Sequence, residues 1–103
     1  MRVALANFPF ERPVVRRYRC EVFTKAYLFP PMPLLYLASV ARKEHDVFFL
    51  DCVAEKVGEE ELFKELSEFE PDILIFLSGF ESLKYEIGLA RRIKREIGCK
   101  VGC

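Results

Sequence analysis

The chain has 103 residues, enough for one domain with a single modest core. Its 16 basic and 16 acidic residues cancel, so no global field favours nucleic acid or an anionic membrane. The apolar runs, Ile73–Leu77 and the interrupted Leu34–Ala41, are too short to span a bilayer. Pro9, Glu11 and Arg12 cut short any secretory leader, and a cytoplasmic protein is expected.

Glutamine and tryptophan are absent, Asn7 is the one asparagine, and charged residues make up 31% of the chain. Depleted amides with abundant Glu, Lys and Arg suit a heat-adapted, thermophile protein. Such a domain should melt well above the roughly 50 °C of an ordinary mesophile.

In chain order, Val3-Ala4-Leu5-Ala6 reads as a short strand buried on both faces, stopped at Asn7-Phe8-Pro9. Residues 8–32 form a long connection holding Pro9, Pro13, Pro30 and Pro31, with a local charge of +3 and interleaved aromatics from Phe8 to Phe29. A loop of that length either covers the sheet edge or contacts a ligand or partner. Pro33 suits the first turn of a helix, in which Leu34, Leu37, Ala38 and Ala41 make one apolar face. Val47–Leu50 is the second strand, ended by Asp51. Glu59–Phe69 is a helix that buries Leu62, Phe63, Leu66 and Phe69. The eight acids against two lysines over residues 55–72 mark its solvated side. After Pro71-Asp72, Ile73-Leu74-Ile75-Phe76-Leu77 is a strand that needs cover on both faces. Ser82 can cap a third helix with a stripe of Leu83, Ile87, Ala90, Ile93 and Ile97, and Gly98 ends it. Cys99–Cys103 reads as a fourth strand.

The order β-α-β-α-β-α-β makes residues 1–103 one domain of the α/β class. It predicts a three-layer α/β/α, Rossmann-like or flavodoxin-like parallel sheet, with the chain stopping after the fourth strand. Ligands of such sheets bind beyond the carboxyl ends of the strands, at the point where strand order reverses. Asn7-Phe8-Pro9, Asp51-Cys52 and Ser78-Gly79-Phe80 lie on that edge and are the candidate cofactor-binding residues. Catalytic equipment is sparse there: no Gly-x-Gly-x-x-Gly follows the first strand, and no Walker loop or aspartate ring is present. His45 precedes the second strand, at the amino edge, and reads as a turn residue. Asp51 is either a polar ligand contact or a strand-ending carboxylate that binds nearby N–H groups.

The four cysteines form no evident framework. Cys99 and Cys103 in one strand would stand about 13 Å apart, too far for a disulfide or a shared metal ion. Their spacing resembles the start of a Cys-x-x-x-Cys-x-x-Cys cluster motif, but no third cysteine follows within these residues. Cys20 reads as a loop thiol and Cys52 as a packed one. No metal ligands are assigned.

Taken together, Asn7-Phe8-Pro9, Pro30-Pro31, Leu34-Leu35-Tyr36-Leu37-Ala38, His45-Asp46-Val47, Asp51, Pro71-Asp72-Ile73 and Ala90-Arg91-Arg92-Ile93-Lys94 carry a resemblance. In this order they resemble the amino-terminal cobalamin-binding-type domain that precedes the barrel of radical S-adenosylmethionine enzymes. Pro33 stands where that family has glycine, and the glycine before His45 is absent. The Asp-x-His-x-x-Gly that brings histidine to cobalt in other cobalamin proteins is missing too.

The resemblance implies a fragment of a larger enzyme engaged in methyl transfer or related radical chemistry. Cobalamin would be held without a histidine from this domain. A 4Fe-4S iron–sulfur cluster and S-adenosylmethionine would sit in a downstream barrel of the same polypeptide, which would be the partner, so the chain alone would be inactive. Neither nucleic acid nor membrane is an expected partner. Two other readings remain open: the same fold without cofactor, acting as a docking or substrate-gating module, and an unrelated flavodoxin-like binding module.

Overall fold

Continuous apolar runs need cover on both sides, and the chain supplies it by winding helices about a parallel sheet. A computed structural model describes residues 1–10, 31–79 and 82–103, and the backbone of 14–17 and 20–23. The elements are β1 (Arg2–Asn7), β2 (Val14–Arg17), β3 (Cys20–Phe23), α1 (Met32–Ala41), β4 (Asp46–Asp51), α2 (Glu59–Phe69), β5 (Ile73–Phe76), α3 (Leu83–Ile97) and β6 (Lys100–Gly102). Four strands form an all-parallel sheet in the order β4-β1-β5-β6, the predicted α/β architecture. The chain leaves β1 to one side and then crosses back to the other. Right-handed crossovers then put α1 on one face and α2 with α3 on the opposite one.

Side chains alternate across β1. Val3 and Leu5 pack with Leu34 of α1, whereas Ala4 and Ala6 join Leu62 and Leu66 of α2 and Leu89, Ala90 and Ile93 of α3. Val3 to Ala6 are all buried, so the expected double cover of this strand is present.

Four expectations need correction. Within the long connection, β2 and β3 pair antiparallel, Val14 opposite Phe23 and Arg17 opposite Cys20. Val14, Val15 and Val22 favour that extended backbone, against the reading of a bare loop. On α1 only Leu34 is buried; Leu37 is exposed, and Ala38 and Ala41 are half-buried, because the helix meets the sheet along a narrow line. Ile73 and Ile75 on β5, and Leu77 just after it, are half-covered on that same side. The buried stripe of α3 is Glu86, Leu89, Ala90 and Ile93, with Leu83 and Ile87 exposed. A glutamate inside the stripe turned the apolar reading by part of a turn. Gly98 does end α3, in the left-handed conformation at φ 84°.

At the amino edge Arg2 gathers several partners. Its N–H donates to Asp72 Oδ2 at 2.7 Å, and its Nε donates to the Phe69 carbonyl at the end of α2 at 2.7 Å. Its guanidinium lies 4.4 Å from the centre of the Phe69 ring. The amino edge thus anchors the helix ends and leaves the opposite edge for loops.

Candidate functional site

The parallel register brings the last residues of β1 and β4 side by side, Asn7 opposite Asp51. Asn7 Nδ2 donates to Asp51 Oδ1 at 3.0 Å, and the Ala54 N–H donates to the same oxygen at 3.1 Å. The Cys52 N–H in turn reaches the Asn7 carbonyl at 2.9 Å. Both side chains are buried. Asp51 thus ties the end of its strand to Asn7 and to the turn that follows through one carboxylate oxygen.

Beyond Asn7 the chain turns inward. Phe8 is completely buried and stacks on Phe76 with ring centres 4.8 Å apart, and Pro9 is buried behind it. Phe10 meets the edge of Tyr85 at 5.5 Å. Cys52 is a packed thiol in the core on the side of α2 and α3. Of the predicted edge residues, Ser78 and Gly79 are half-buried at the end of β5, and Phe80 lies outside the described residues. Since β1 is flanked by β4 and β5, the order reverses between β1 and β5. The crevice of the sheet is thus bordered by Asn7-Phe8 and Leu77-Ser78-Gly79.

Sequence reading missed the most deeply placed polar group of this edge. Glu86 is fully buried one turn inside α3. Its Oε1 accepts from the Ser82 hydroxyl at 2.9 Å and from the Gly79 N–H at 3.2 Å. Ser82 occupies the N-cap position, but its hydroxyl makes no cap to the helix backbone and serves Glu86 instead. The expected Ser82 cap is therefore replaced by a carboxylate that reaches back over the loop. The positive end of the helix favours a negative charge there. A signal existed: Glu86 falls three, four and seven residues before Leu89, Ala90 and Ile93, on their face of the helix.

A second link ties α3 to α2. The Tyr85 hydroxyl donates to Glu59 Oε1 at 2.6 Å, and Arg92 reaches the other Glu59 oxygen at 3.3 Å while lying over Phe63. This clasp fixes the helix that carries Glu86. His45, by contrast, is exposed at the amino edge after α1, away from the crevice. Burial pushes the Cys99 thiol above its ordinary value, against a smaller lowering by a backbone hydrogen bond, whereas Cys103 is exposed. Among the described residues no three His, Cys, Asp or Glu side chains converge to hold a metal ion.

Over 68 residues the chain is 35% identical to a protein of Pyrococcus horikoshii named an uncharacterized methyltransferase. That stretch is 66% of this chain and 15% of the relative, so the chain matches only a small part of the relative's length. No family model and no solved structure matches the chain.

Proposed function

We propose that the chain is a cobalamin-binding-type module of a larger methyltransferase of the radical S-adenosylmethionine kind. The observation that carries this reading is the crevice between β1 and β5, where half-buried, uncharged Ser78 and Gly79 border a parallel sheet. The named activity of the Pyrococcus relative supports the methyl-transfer part. Uncharged hydrogen-bonding groups at this rim suit a ring fringed with amides, and the sequence has no Gly-rich loop to cradle the pyrophosphate of a dinucleotide.

When bound, cobalamin would supply a carrier for a methyl group, with S-adenosylmethionine and the iron–sulfur cluster held by other parts of the polypeptide. The residues of this chain position and bind. Gly79, lacking a side chain, lets a ligand approach the backbone closely. Glu86 holds that loop by its N–H at Gly79 and the hydroxyl at Ser82. The Asn7–Asp51 pair sets the neighbouring strand ends. The single histidine, His45, is at the far edge, so a cobalt ion in the crevice would receive no imidazole from this chain.

Titrating the full-length polypeptide with hydroxocobalamin tests the proposal. A shift in the corrin absorbance with co-elution on gel filtration is the expected result, and free passage of the corrin would overturn it. A second reading, the same fold serving as a docking or gating module without cofactor, is favoured by one observation: Phe8 and Cys52 are packed into the core. Free passage of the corrin would leave that reading in place.

A further inference from the structure

Helix α1 carries no charged residue along Met32–Ala41. Leu34 points into the sheet, yet Met32, Tyr36, Leu37 and Val40 are 46%, 68%, 38% and 64% exposed. Pro33, Tyr36, Leu37 and Val40 recur at i, i+3, i+4 and i+7, so the helix has a second apolar stripe facing outward. The outward sides of the other helices differ: Glu60, Glu61, Lys64 and Glu68 on α2, and Lys84, Arg91 and Arg95 on α3, are exposed charges. A helix apolar all round belongs inside a larger protein or a membrane. No described helix is long and apolar enough to cross a membrane.

We infer that the outward stripe of α1 is a docking surface for a further segment of the same polypeptide, one equivalent to a part of the relative outside the matched stretch. This rests on reading the chain as a module of a larger protein and needs nothing from the cofactor. The size of the patch selects a tethered occupant over a second copy. Separate partners that associate stably bury about 800 Å² each. A few side chains on a ten-residue helix offer well under that area. A covalent tether supplies an effective concentration on the order of millimolar, at which a small patch suffices. The match spans only 15% of the relative, which leaves ample polypeptide of its kind to supply the segment. The occupant should present an uncharged apolar face with an acceptor at its rim for the Tyr36 hydroxyl.

Hydroxyl-radical footprinting of the 103-residue chain and of the natural full-length polypeptide tests this. Oxidation of Met32 and Tyr36 should fall several-fold in the longer protein, with Met1 unchanged as the exposed reference. Equal oxidation in both would overturn the inference, as would a natural polypeptide that ends at Cys103. So would a self-associating 103-residue chain that Val40→Lys makes monomeric, since the occupant would then be a second copy. The Tyr36→Lys/Val40→Lys variant should leave the melting of the 103-residue chain unchanged and speed proteolytic release of this module from the longer protein. Failure here leaves the corrin titration informative, because that readout lies at the carboxyl edge and this one on the face of α1.

Discussion

The two faces of the sheet are built differently. On the face of α2 and α3, Leu62, Leu66, Leu89 and Ile93 are all but inaccessible, and outward charges surround them. On the other face the buried cluster is the smaller set Val3, Leu5 and Leu34, and α1 shows apolar side chains outward as well. The first face has the build of a finished core with a solvated rim, the second that of an interior surface. An amphipathic helix completes a domain, whereas an apolar helix leaves it needing a neighbour.

Substitutions can break or sharpen that contrast. The largest effect is expected from Ile93→Ala, which opens a cavity in the finished core and should cost about 2–5 kcal/mol in urea unfolding. Leu34→Ala should cost less, since its surroundings are looser and can relax; an equal or larger loss would break the comparison. Glu86→Ala removes the acceptor for the Gly79 N–H and the Ser82 hydroxyl. It should cost about 1–3 kcal/mol, with Glu86→Gln recovering much of it. Tyr85→Phe removes the donor to Glu59 and should cost about 0.5–1.5 kcal/mol.

Cys99 adds a pH effect of definite sign. Its thiol holds its proton more tightly when folded than its ordinary 9.0, because burial disfavours the thiolate. The unfolded chain therefore loses that proton first. The contribution is whole below 9.0 and is lost as pH rises through the folded value. Urea midpoints from pH 8 to pH 10 should fall more steeply for the unmodified chain than for Cys99→Ala. The smallest effect belongs to the exposed stripe: Tyr36→Ser should stay within about 0.5 kcal/mol of the parent in the 103-residue chain. A larger loss would mean that Tyr36 packs within this module after all.

Much of this architecture is legible in the sequence, for reasons visible in particular residues. Four apolar runs alternating with helical patterns led to the parallel sheet, and Gly98 and Pro71-Asp72 marked ends that the structure keeps. What escaped are places where polarity and position disagree. Glu86 is a charged residue at a core position, and its value to the loop depends on Gly79, seven residues away. The β2–β3 pair was hidden because Arg16, Arg17 and Glu21 blur the alternation that marks a half-buried strand. The stripe of α1 reads as one inner face in the sequence because both of its sides are apolar, and periodicity does not say which side the sheet takes. Of the candidate site, Asn7, Asp51, Ser78 and Gly79 lie on the predicted edge, while Phe8 and Cys52 sit on it but point into the core.

The most direct test of the account is a residue-resolved amide NMR titration of the chain with hydroxocobalamin. Binding in the crevice predicts shifts confined to the amides of Asn7, Phe8, Phe10, Asp51–Ala54 and Ser78–Gly79, with α1 and the amino-edge residues Arg2 and His45 unmoved. No shifts at saturating corrin, or shifts centred on α1 or His45, would contradict it.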